Sequence, residues 1–503
     1  MSIILILFLG IIKMNVTLIS LDRELYCFGI RILSACLQKA GHQVKLLFMP
    51  PPESLDQSVK FQSTFSAELL DNLKSFCTDS DLIGISLMSN QLIPAINITE
   101  YLKSKKISAP VVWGGIQPTI EPEMCLEYAD IVCIGEGEEA LVELADNLNN
   151  GNSYHEIRNI WVKSQNKIFQ NPLRHLVKEL DTIPLPDYSC KNHFISEENR
   201  IVELTAKKFI GFQGERFRSD GDSIVYMFMT SRGCPYSCTY CCNSILHSLY
   251  PKQKLLRWRS IENVIDELKT IQKEIAPISF VYMVDDNFTA RSKDALEHFC
   301  KGYKTEIGIP FFAQISPRSI TEEKMEILFN SGCAKVTMGI ESANERISKM
   351  YNRSKEYKVL QKAITLVEKY RQRMTKSPTY HFIIDNPYEK IEETLETLRM
   401  AVSFPRPWHN PIYSLMLFPG VPLYEKAIKD GLIKDKHSQI YGKNWRSQSK
   451  PFFQFWIRLY RANFSPSILR ILLKPWLARL LTCNIADFIW KMPVLRLLWK
   501  KIG

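Results

Sequence analysis

The sequence of 503 residues lacks an apolar run long enough to cross a bilayer as a helix. The longest run, residues 3–12, ends at Lys13 and is about half the length that a transmembrane helix needs. A secretory signal is not expected either, because the lysine follows the apolar stretch and no small-residue cleavage pattern comes after it. Met14 opens a strand-like segment, so residues 1–13 are interpreted as a hydrophobic extension or an upstream mis-start.

Most of the chain also lacks an excess of charge of one sign. The net charge is +11, but residues 451–503 hold nine Lys or Arg against one acid, Asp487, and so account for +8 of it. The preceding 450 residues carry +3, which is typical of an ordinary enzyme surface. We therefore expect no nucleic-acid partner, since no basic patch accompanies the main body of the chain.

The composition excludes long disorder and a disulfide-stapled miniprotein. Hydrophobic residues make up 46% and charged residues 23%, which is a globular balance, and the length suggests about three folding units. Thirteen cysteines, an odd number scattered along the chain, favour a reducing, cytoplasmic compartment and metal or thiol chemistry.

Residues 14–150 alternate between apolar runs and helical patterns. The expected strands are 16–21, 44–48, 82–87, 111–113 and 131–134, and the expected helices are 29–40, 93–103 and 138–148. This order predicts a doubly wound, Rossmann-like parallel sheet of α/β class, whose ligands bind beyond the carboxyl ends of its strands. The turns there carry Ser86, Gly114, Gly115 and the run 135–138. Taken alone, the glycines are equally explained as tight strand-to-helix turns.

The rest of the chain reads as a linker, a second α/β domain and an extension. Residues 151–222 hold a strand pair and a proline-bearing connector at 183–187. Six β/α units follow in 223–420, which predicts a partial (β/α)6 barrel of the TIM type with its reaction centre at the strand ends. Residues 421–503 form a helical C-terminal extension with a basic, aromatic tail.

Three cysteines follow the first predicted barrel strand. Cys234, Cys238 and Cys241 have the spacing C-x3-C-x2-C, which can direct three thiolates at one iron–sulfur cluster and leave one iron open. Zinc is the competing metal, and its fourth ligand would have to be Cys242 or His247. Cys242 adjoins Cys241 and cannot easily point at the same ion.

With this loop, the sequence from Met14 to about Glu425 resembles the radical S-adenosylmethionine (SAM) superfamily, in particular its group with an N-terminal cobalamin-binding domain. The resemblance implies a 4Fe-4S cluster on Cys234, Cys238 and Cys241, with SAM on the open iron and Tyr240 near the adenine. Such a cluster, reduced by an external donor such as flavodoxin or ferredoxin, cleaves SAM to a 5′-deoxyadenosyl radical.

Two later segments extend the resemblance to SAM contacts. Gly339, Glu341 and Ser342 match the family's Gly-Ile-Glu-Ser strand end, which implies hydrogen bonds to the ribose and amino-acid parts of SAM. Arg318 could pair with the SAM carboxylate or form a surface salt bridge. Asp286 belongs to an acidic pair that either faces the active centre or caps a helix.

One segment departs from the family pattern. Where relatives have Gly-x-Pro-Gly-Glu-Thr after the fifth strand, residues 385–390 read Asp-Asn-Pro-Tyr-Glu-Lys, without either glycine. Because glycine permits a positive φ, we expect this loop to take another path or to hold SAM differently.

The N-terminal turns also match the cobalamin-binding group. The resemblance implies that Ser86, Gly114, Gly115, Gly135, Glu136 and Gly137 line the nucleotide tail of cobalamin. The Asp-x-His-x-x-Gly motif is missing, so a bound cobalamin should have no histidine ligand from that loop. Members with a degenerate domain of this shape bind no cobalamin, which leaves that alternative open.

The resemblance implies an enzyme of reductive SAM cleavage, with methyl transfer to an unactivated carbon or phosphorus of a small or lipid-like substrate as its commonest chemistry. The alternatives are a radical cyclase, oxidase or rearrangement enzyme without methyl transfer, and a non-catalytic cluster- or cobalamin-binding protein. Apolar and basic residues mixed in 451–503 are typical of a membrane-surface helix, although core or partner packing explains them as well.

Overall fold

The structure is a computed structural model that describes residues 14–23, 25–51, 64–165, 167–216, 224–275, 277–353, 357–407, 410–441 and 450–483. The chain divides into two compact units. The first comprises the residues up to 233 together with 245–283 and 305–309, and the second comprises 234–244, 284–304 and the residues from 310 onward. The predicted extension 1–13 and the end of the basic tail, 484–503, lie outside the described residues.

The first unit contains a nine-stranded sheet in the order β7-β6-β5-β4-β3-β1-β2-β8-β9. The strands from β5 through β1 to β8 are parallel, and β6, β7 and β9 pair antiparallel at the two edges. The strands are β1 (Asn15–Ser20), β2 (Gln43–Phe48), β3 (Leu82–Ser86), β4 (Val111–Gly114), β5 (Ile131–Cys133), β6 (Ile160–Ser164), β7 (Lys167–Gln170), β8 (His193–Glu197) and β9 (Arg200–Glu203). The helices are α1 (Phe28–Lys39), α2 (Ala67–Phe76), α3 (Leu92–Ser104), α4 (Ile116–Ile120), α5 (Pro122–Cys125), α6 (Glu138–Asn149) and α7 (Ala206–Arg216).

The five predicted strands of the N-terminal sheet are confirmed, with ends that differ by two residues at most. They were readable because strands buried on both faces are continuous apolar runs. Val16, Leu18 and Ile19 of β1, for example, have almost no solvent exposure. Helix α2, which the sequence analysis did not anticipate, begins where the hydroxyl of Ser66 accepts a hydrogen bond from the Leu69 amide.

The segment 151–222 is more than the linker that was expected. It supplies four strands to the nine-stranded sheet, β6, β7, β8 and β9. Its proline-bearing connector is tied to α1, because Nη1 of Arg31 donates to the Asp187 carbonyl and the Asp187 amide donates to the Arg31 carbonyl. The segment is therefore part of the first unit's fold.

The first unit also contains the start of the second α/β region. Strands β10 and β13 are parallel neighbours, and β11 pairs antiparallel with β12. Helix α9 is capped by the Ser260 hydroxyl and buries Val264, Leu268 and Ile271 at helical spacing. These elements are β10 (Val225–Phe228), β11 (Ser231–Arg232), α8 (Asn243–Leu249), β12 (Arg257–Trp258), α9 (Ile261–Glu274) and β13 (Phe280–Met283).

The second unit holds four parallel strands in the order β14-β15-β16-β17, joined by helices. With β10 and β13 they make up the six predicted β/α repeats. The strands are β14 (Phe311–Ile315), β15 (Cys333–Glu341), β16 (Thr379–Ile384) and β17 (Ile412–Ser414). The helices are α10 (Lys293–Glu306), α11 (Glu322–Asn330), α12 (Glu345–Met350), α13 (Tyr357–Lys369), α14 (Ile391–Ser403), α15 (Pro422–Lys429), α16 (Pro451–Arg461), α17 (Pro466–Leu472) and α18 (Pro475–Leu481).

The start of the C-terminal tail belongs to the core of the second unit. Phe452 and Trp456 of α16 are fully buried, and the Trp456 indole donates to the Leu469 carbonyl of α17. Of the two alternatives left open for 451–503, core packing therefore holds for α16. No helix in the described part of the chain is long and apolar enough to span a bilayer.

Candidate cofactor sites

A cavity of about 440 Å³ opens at the carboxyl edge of the sheet in the first unit. Apolar side chains from the sheet, from α1 and from the proline-bearing connector make up most of its lining. Each predicted turn residue of the sheet borders it: Ser86, Gly114, Gly115, Gly135, Glu136 and Gly137. The parallel strands end at one edge, so turns that are far apart in sequence meet there.

Two of these turns require glycine. Gly115 has a φ of 100°, and a Cβ there would lie 2.7 Å from the Leu87 carbonyl oxygen. Gly135 has a φ of 75°, and a Cβ there would lie 2.0 Å from the hydroxyl of Tyr250. Both positions combine a backbone conformation that favours glycine with a close approach that excludes a side chain.

A network of ion pairs borders the same cavity. Glu136 pairs with both Arg257 and Arg232, and Arg232 also pairs with Glu138 at 2.6 Å. Burial alone would raise the pKa of Glu136, but the two arginines outweigh it and hold the pKa below its usual range. The sequence analysis missed both arginines, and only Arg232, two residues before Cys234, lay near a recognised motif.

The cysteine loop lies in the second unit, where backbone hydrogen bonds fix it. The Thr239 amide donates to the Tyr351 carbonyl, and the Thr239 carbonyl accepts from the Leu423 amide. The side chain of Thr239 donates to the Met350 carbonyl. The loop is thus attached both to the end of α12 and to the start of α15.

The thiols of this loop differ in their surroundings. Burial raises the pKa of Cys234 to about 12 and also raises that of Cys238. A hydrogen bond from Cys242 lowers the pKa of Cys241 to about 7, and the same contact raises the pKa of Cys242. Cys241 is therefore the thiol of this pair that ionises, while Cys242 keeps its proton.

Asn243 connects the loop to the acidic pair after β13. Its side-chain amide lies 3.7 Å from the Cys241 sulfur and donates to Asp286 at 3.0 Å. Burial raises the pKa of Asp286. Asn287 stands at the N-terminus of the next helical turn without forming a side-chain cap.

Glu341 and Arg353 form an ion pair beside the loop. Glu341 ends β15 with a φ of 67°, a strained conformation for a residue other than glycine, and such strain clusters at functional sites. Its carboxylate lies 3.5 Å from Nη2 of Arg353. Burial raises the pKa of Glu341, and Arg353 offsets part of that rise.

The remaining predicted SAM residues have different environments. The Tyr240 ring packs edge-on against Tyr351 at 4.9 Å, and the exposed Arg318 stacks over the Tyr236 ring at 4.1 Å. Gly339 accepts a hydrogen bond at its carbonyl from Arg353. Ser342 is fully buried, and its hydroxyl contacts Thr397 at 3.3 Å, which makes it part of the packing behind the strand end.

The loop without glycines, residues 385–390, has one residue with a left-handed backbone. Asp385 has a φ of 64°, the left-handed conformation that aspartate tolerates better than most residues. Its carboxylate accepts a hydrogen bond from the Ser414 hydroxyl. The expectation that this loop takes another path or holds SAM differently stays a prediction, with a left-handed backbone at Asp385 although both glycines are absent.

Comparison with known proteins agrees with both sites. The family model described as the Radical SAM superfamily matches residues 228–401, and the model described as the B12 binding domain matches residues 14–145. The chain contains a radical SAM domain and an N-terminal B12-binding domain. It is accordingly a radical SAM enzyme, whose cofactors are a 4Fe-4S cluster, SAM and cobalamin.

Several proteins resemble this radical SAM enzyme over most of its length. An uncharacterized methyltransferase of Pyrococcus horikoshii is 26% identical over 82% of this chain and 79% of its own length. The cytidylyl-2-hydroxyethylphosphonate methyltransferase of Streptomyces wedmorensis is 28% identical over 65% of this chain and 64% of its own. The solved structure of the cobalamin-dependent SAM radical enzyme OxsB, with aqua-cobalamin and SAM bound, is 16% identical, covers 96% of this chain and 75% of its own, and has a TM-score of 0.65. The predicted fold class is confirmed by that likeness.

The cavity of the B12-binding domain offers open space and a buried polar group to cobalamin. Apart from its chain neighbours and the backbone of its own helix, no described atom lies within 4 Å of a Cβ placed on Gly29, which borders the cavity. The Tyr250 hydroxyl is buried at the cavity wall and has no hydrogen-bond partner among the described residues. A large, mainly apolar ligand with polar groups at its edge fits such a lining.

The cysteine loop fits a cluster by its donor set. Cys238 and Cys241 lie close enough to Cys234 to raise its pKa, and Cys241 raises the pKa of Cys238 in the same way. Within the described ranges, no three Cys, His, Asp or Glu side chains converge on the position of a single metal ion. A cubane cluster binds each thiolate through a different iron and does not require such convergence.

Proposed function

We propose that this radical SAM enzyme is a cobalamin-dependent methyltransferase that acts on an unactivated carbon or phosphorus of a small or lipid-like substrate. The observation that supports it is that one chain contains two sites. One is a cavity bordered by glycine-containing turns in a B12-binding domain, and the other is a loop of three thiols beside the Glu341–Arg353 pair. The names of the Pyrococcus and Streptomyces relatives, both methyltransferases, support the reaction class.

In the proposal, the residues of the second unit hold the cluster and SAM. Cys234, Cys238 and Cys241 are the cluster ligands. Glu341 accepts hydrogen bonds from SAM, and its strained backbone fixes the carboxylate in place. Tyr240 and Gly339 border the SAM position, and Arg318 binds the SAM carboxylate. Ser342 belongs to the same strand end, where its hydroxyl also contacts Thr397.

The residues of the first unit hold cobalamin. The proposed contacts are the turns that border the cavity: Ser86, Gly114, Gly115, Gly135, Glu136 and Gly137. The Tyr250 hydroxyl adds a hydrogen-bonding group that the sequence analysis did not identify. The paired arginines hold the Glu136 turn in shape, so the backbone amides at the start of α6 stay oriented.

When bound, the cofactors supply the reductive cleavage of SAM and the carriage of a methyl group. The protein's own contribution is to position them and to keep water out. Burial of Cys238 and the apolar cavity lining serve the second purpose. Electrons come from an external donor of the flavodoxin or ferredoxin type, in a reducing cytoplasm.

Product analysis tests the reaction class. We would reconstitute the full chain anaerobically, add reductant, hydroxocobalamin and SAM, and measure 5′-deoxyadenosine and S-adenosylhomocysteine. Methyl transfer from SAM leaves S-adenosylhomocysteine, whereas a radical cyclase, oxidase or rearrangement enzyme yields deoxyadenosine alone. Formation of both, with loss of deoxyadenosine in Cys238→Ala, supports the proposal. Deoxyadenosine alone with every candidate substrate contradicts methyl transfer, and absence of both favours a non-catalytic binding protein.

We also propose that the enzyme contacts an anionic membrane surface through residues 464–480. Of the nine large apolar side chains exposed in the described part of the chain, five lie in this short stretch: Phe464, Ile468, Ile471, Trp476 and Leu480. Ile468 and Ile471 are three residues apart on α17, and Trp476 and Leu480 are four apart on α18, so each pair shares a helix face.

Charge selects lipid as the partner of this surface. Two basic side chains are exposed beside these apolar pairs: Arg470, between Ile468 and Ile471, and Lys474, between the two pairs. Residues 464–480 contain no acidic side chain. Apolar insertion combined with basic residues is the pattern by which peripheral helices bind anionic lipid.

Vesicle co-sedimentation tests this contact. Deletion of 451–503 would remove the buried α16, so point variants are needed. We expect Ile468→Ser combined with Trp476→Ser to reduce binding to phosphatidylglycerol vesicles, while Ile428→Ser, an exposed apolar residue of α15, leaves it unchanged. Equal binding of all three proteins, or binding that does not distinguish phosphatidylglycerol from phosphatidylcholine, would contradict the proposal.

A further inference from the structure

Arg353 is a half-buried cation beside the cysteine loop that no motif pointed to. Its Nη2 donates to the Gly339 carbonyl at 2.7 Å and lies 3.5 Å from the Glu341 carboxylate. Its Nη1 lies 4.0 Å from the sulfur of Cys238. The side chain is 17% exposed, and its Nε has no hydrogen-bond partner among the described residues.

The surrounding backbone is shaped to hold this guanidinium. A Cβ at Gly339 would lie 2.5 Å from Nη2 of Arg353 and 2.2 Å from the Glu341 carboxylate. Any side chain there would clash with the Arg353 guanidinium and with the Glu341 carboxylate. The Arg353 amide also donates to the Ser348 carbonyl, which fixes the end of α12 against this position.

We propose that Arg353 sets the reduction potential of the cluster, by placing a positive charge and an N–H group at the sulfur of Cys238. The proposal rests on the ligand assignment made above. One-electron reduction by the external donor adds one negative charge to the cluster and its thiolates, with no bond formed or broken. A nearby cation and a hydrogen bond to a ligand sulfur both stabilise the reduced state, so they raise the potential.

Arg353 is thus a positioning and tuning residue for electron entry. Glu341 acts in the opposite sense, because its negative charge beside Arg353 neutralises part of the cation's field. Removal of the Arg353 charge should lower the reduction potential, and removal of the Glu341 charge should raise it. A residue with only a structural role would not show this reversal of sign.

The test is an anaerobic redox titration of the reconstituted full chain without SAM, followed by electron paramagnetic resonance. We expect Arg353→Gln to lower the ratio of reduced to oxidised cluster at a fixed potential about tenfold, a shift of about 59 mV for a one-electron couple. Arg353→Lys keeps the charge, so its ratio of reduced to oxidised cluster should lie between those of Arg353→Gln and the parent. Glu341→Gln, measured in alkaline buffer, should raise the ratio. The control is Arg346→Gln, which removes an arginine paired with Glu393 and should leave the ratio unchanged.

Iron and sulfide content distinguish a failure of the ligand assignment from a failure of the tuning role of Arg353. If the parent and all variants lack a cluster, the ligand assignment fails. If the clusters form but Arg353→Gln and Glu341→Gln titrate with the parent, the tuning role is overturned and the ligand assignment stands. If Arg353→Gln alone fails to bind iron, Arg353→Lys and Glu341→Gln decide, and an unchanged potential in both overturns the proposal.

Discussion

Arg257 forms a two-point ion pair with Glu136, with Nη1 3.0 Å from Oε2 and Nη2 2.8 Å from Oε1. The pair joins the turn after β5 to β12, which is far away in sequence, and both side chains are largely buried. The geometry of the cavity turn therefore depends on an interaction that the turn sequence does not contain.

Glu136→Gln should weaken cobalamin binding roughly tenfold, about 1.4 kcal/mol. The substitution leaves Arg257 buried without its counter-charge, and breaking one partner of a buried pair is costly. The measurement is equilibrium dialysis with hydroxocobalamin. Glu139→Gln is the matched control, since Glu139 is 66% exposed and surface ion pairs contribute little. Equal affinity of the two variants would contradict a role for the buried pair.

Gly135→Ala should abolish most retention of cobalamin. Alanine there carries the strain of a positive φ and also collides with Tyr250, so the turn must move. Gly151→Ala is a control for strain alone, because Gly151 has a φ of 65° but open space around its Cβ position. Corrin absorbance after desalting reports the result. Retention lost equally in both variants would mean that strain, and not the close approach, determines binding.

Cys241→Ala should lose the cluster absorbance, while Cys242→Ala should keep it. Cys241 is the member of the pair whose pKa is lowered, to about 7, and Cys242 donates the hydrogen bond that lowers it. Iron content and the visible spectrum after anaerobic reconstitution are the measurements. The reverse outcome would overturn the assignment of the third ligand.

The parts of this fold that were predictable are those with local signatures. The buried parallel strands are apolar runs, and the cysteine spacing is fixed within eight residues. Strands β8 and β9 were missed because they are short, half-exposed and mixed in polarity. Without them, 151–222 reads as a linker.

The two site arginines that could not be identified from the sequence share a physical reason. Arg257 and Arg353 act through contacts made only after the chain has folded, with partners 121 and 115 residues away in sequence. Nothing in their immediate neighbours distinguishes them from surface arginines. Asp385 shows the reverse case, in which the absence of glycine was visible in the sequence but the left-handed backbone at Asp385 was not.

A buried hydrogen-bond network predicts acid sensitivity in the first unit. Asp187 accepts hydrogen bonds from Ser34, Ser189 and His193. Burial alone would raise the pKa of Asp187, but these hydrogen bonds outweigh it and hold the pKa below its usual range. Burial lowers the pKa of His193. Both groups therefore bind protons more weakly in the folded chain than in the unfolded chain.

As pH falls below about 6.5, the unfolded chain gains a proton on His193 that the folded chain resists, so stability declines, and Asp187 adds to the decline below about 4. The loss is about 1.4 kcal/mol for each unit by which the pKa is lowered. Thermal unfolding between neutral and mildly acidic pH measures it. His193→Gln should flatten this dependence and the exposed His175→Gln should not. An unchanged slope in His193→Gln would contradict the assignment.

The central claim is that one chain binds both cofactors and cleaves SAM reductively. The most direct measurement reconstitutes the full chain anaerobically with iron, sulfide, reductant, SAM and hydroxocobalamin, and follows 5′-deoxyadenosine together with the corrin retained after desalting. We predict deoxyadenosine formation and one corrin for each chain. Deoxyadenosine without retained corrin would contradict the cobalamin assignment, and retained corrin without deoxyadenosine would contradict reductive cleavage.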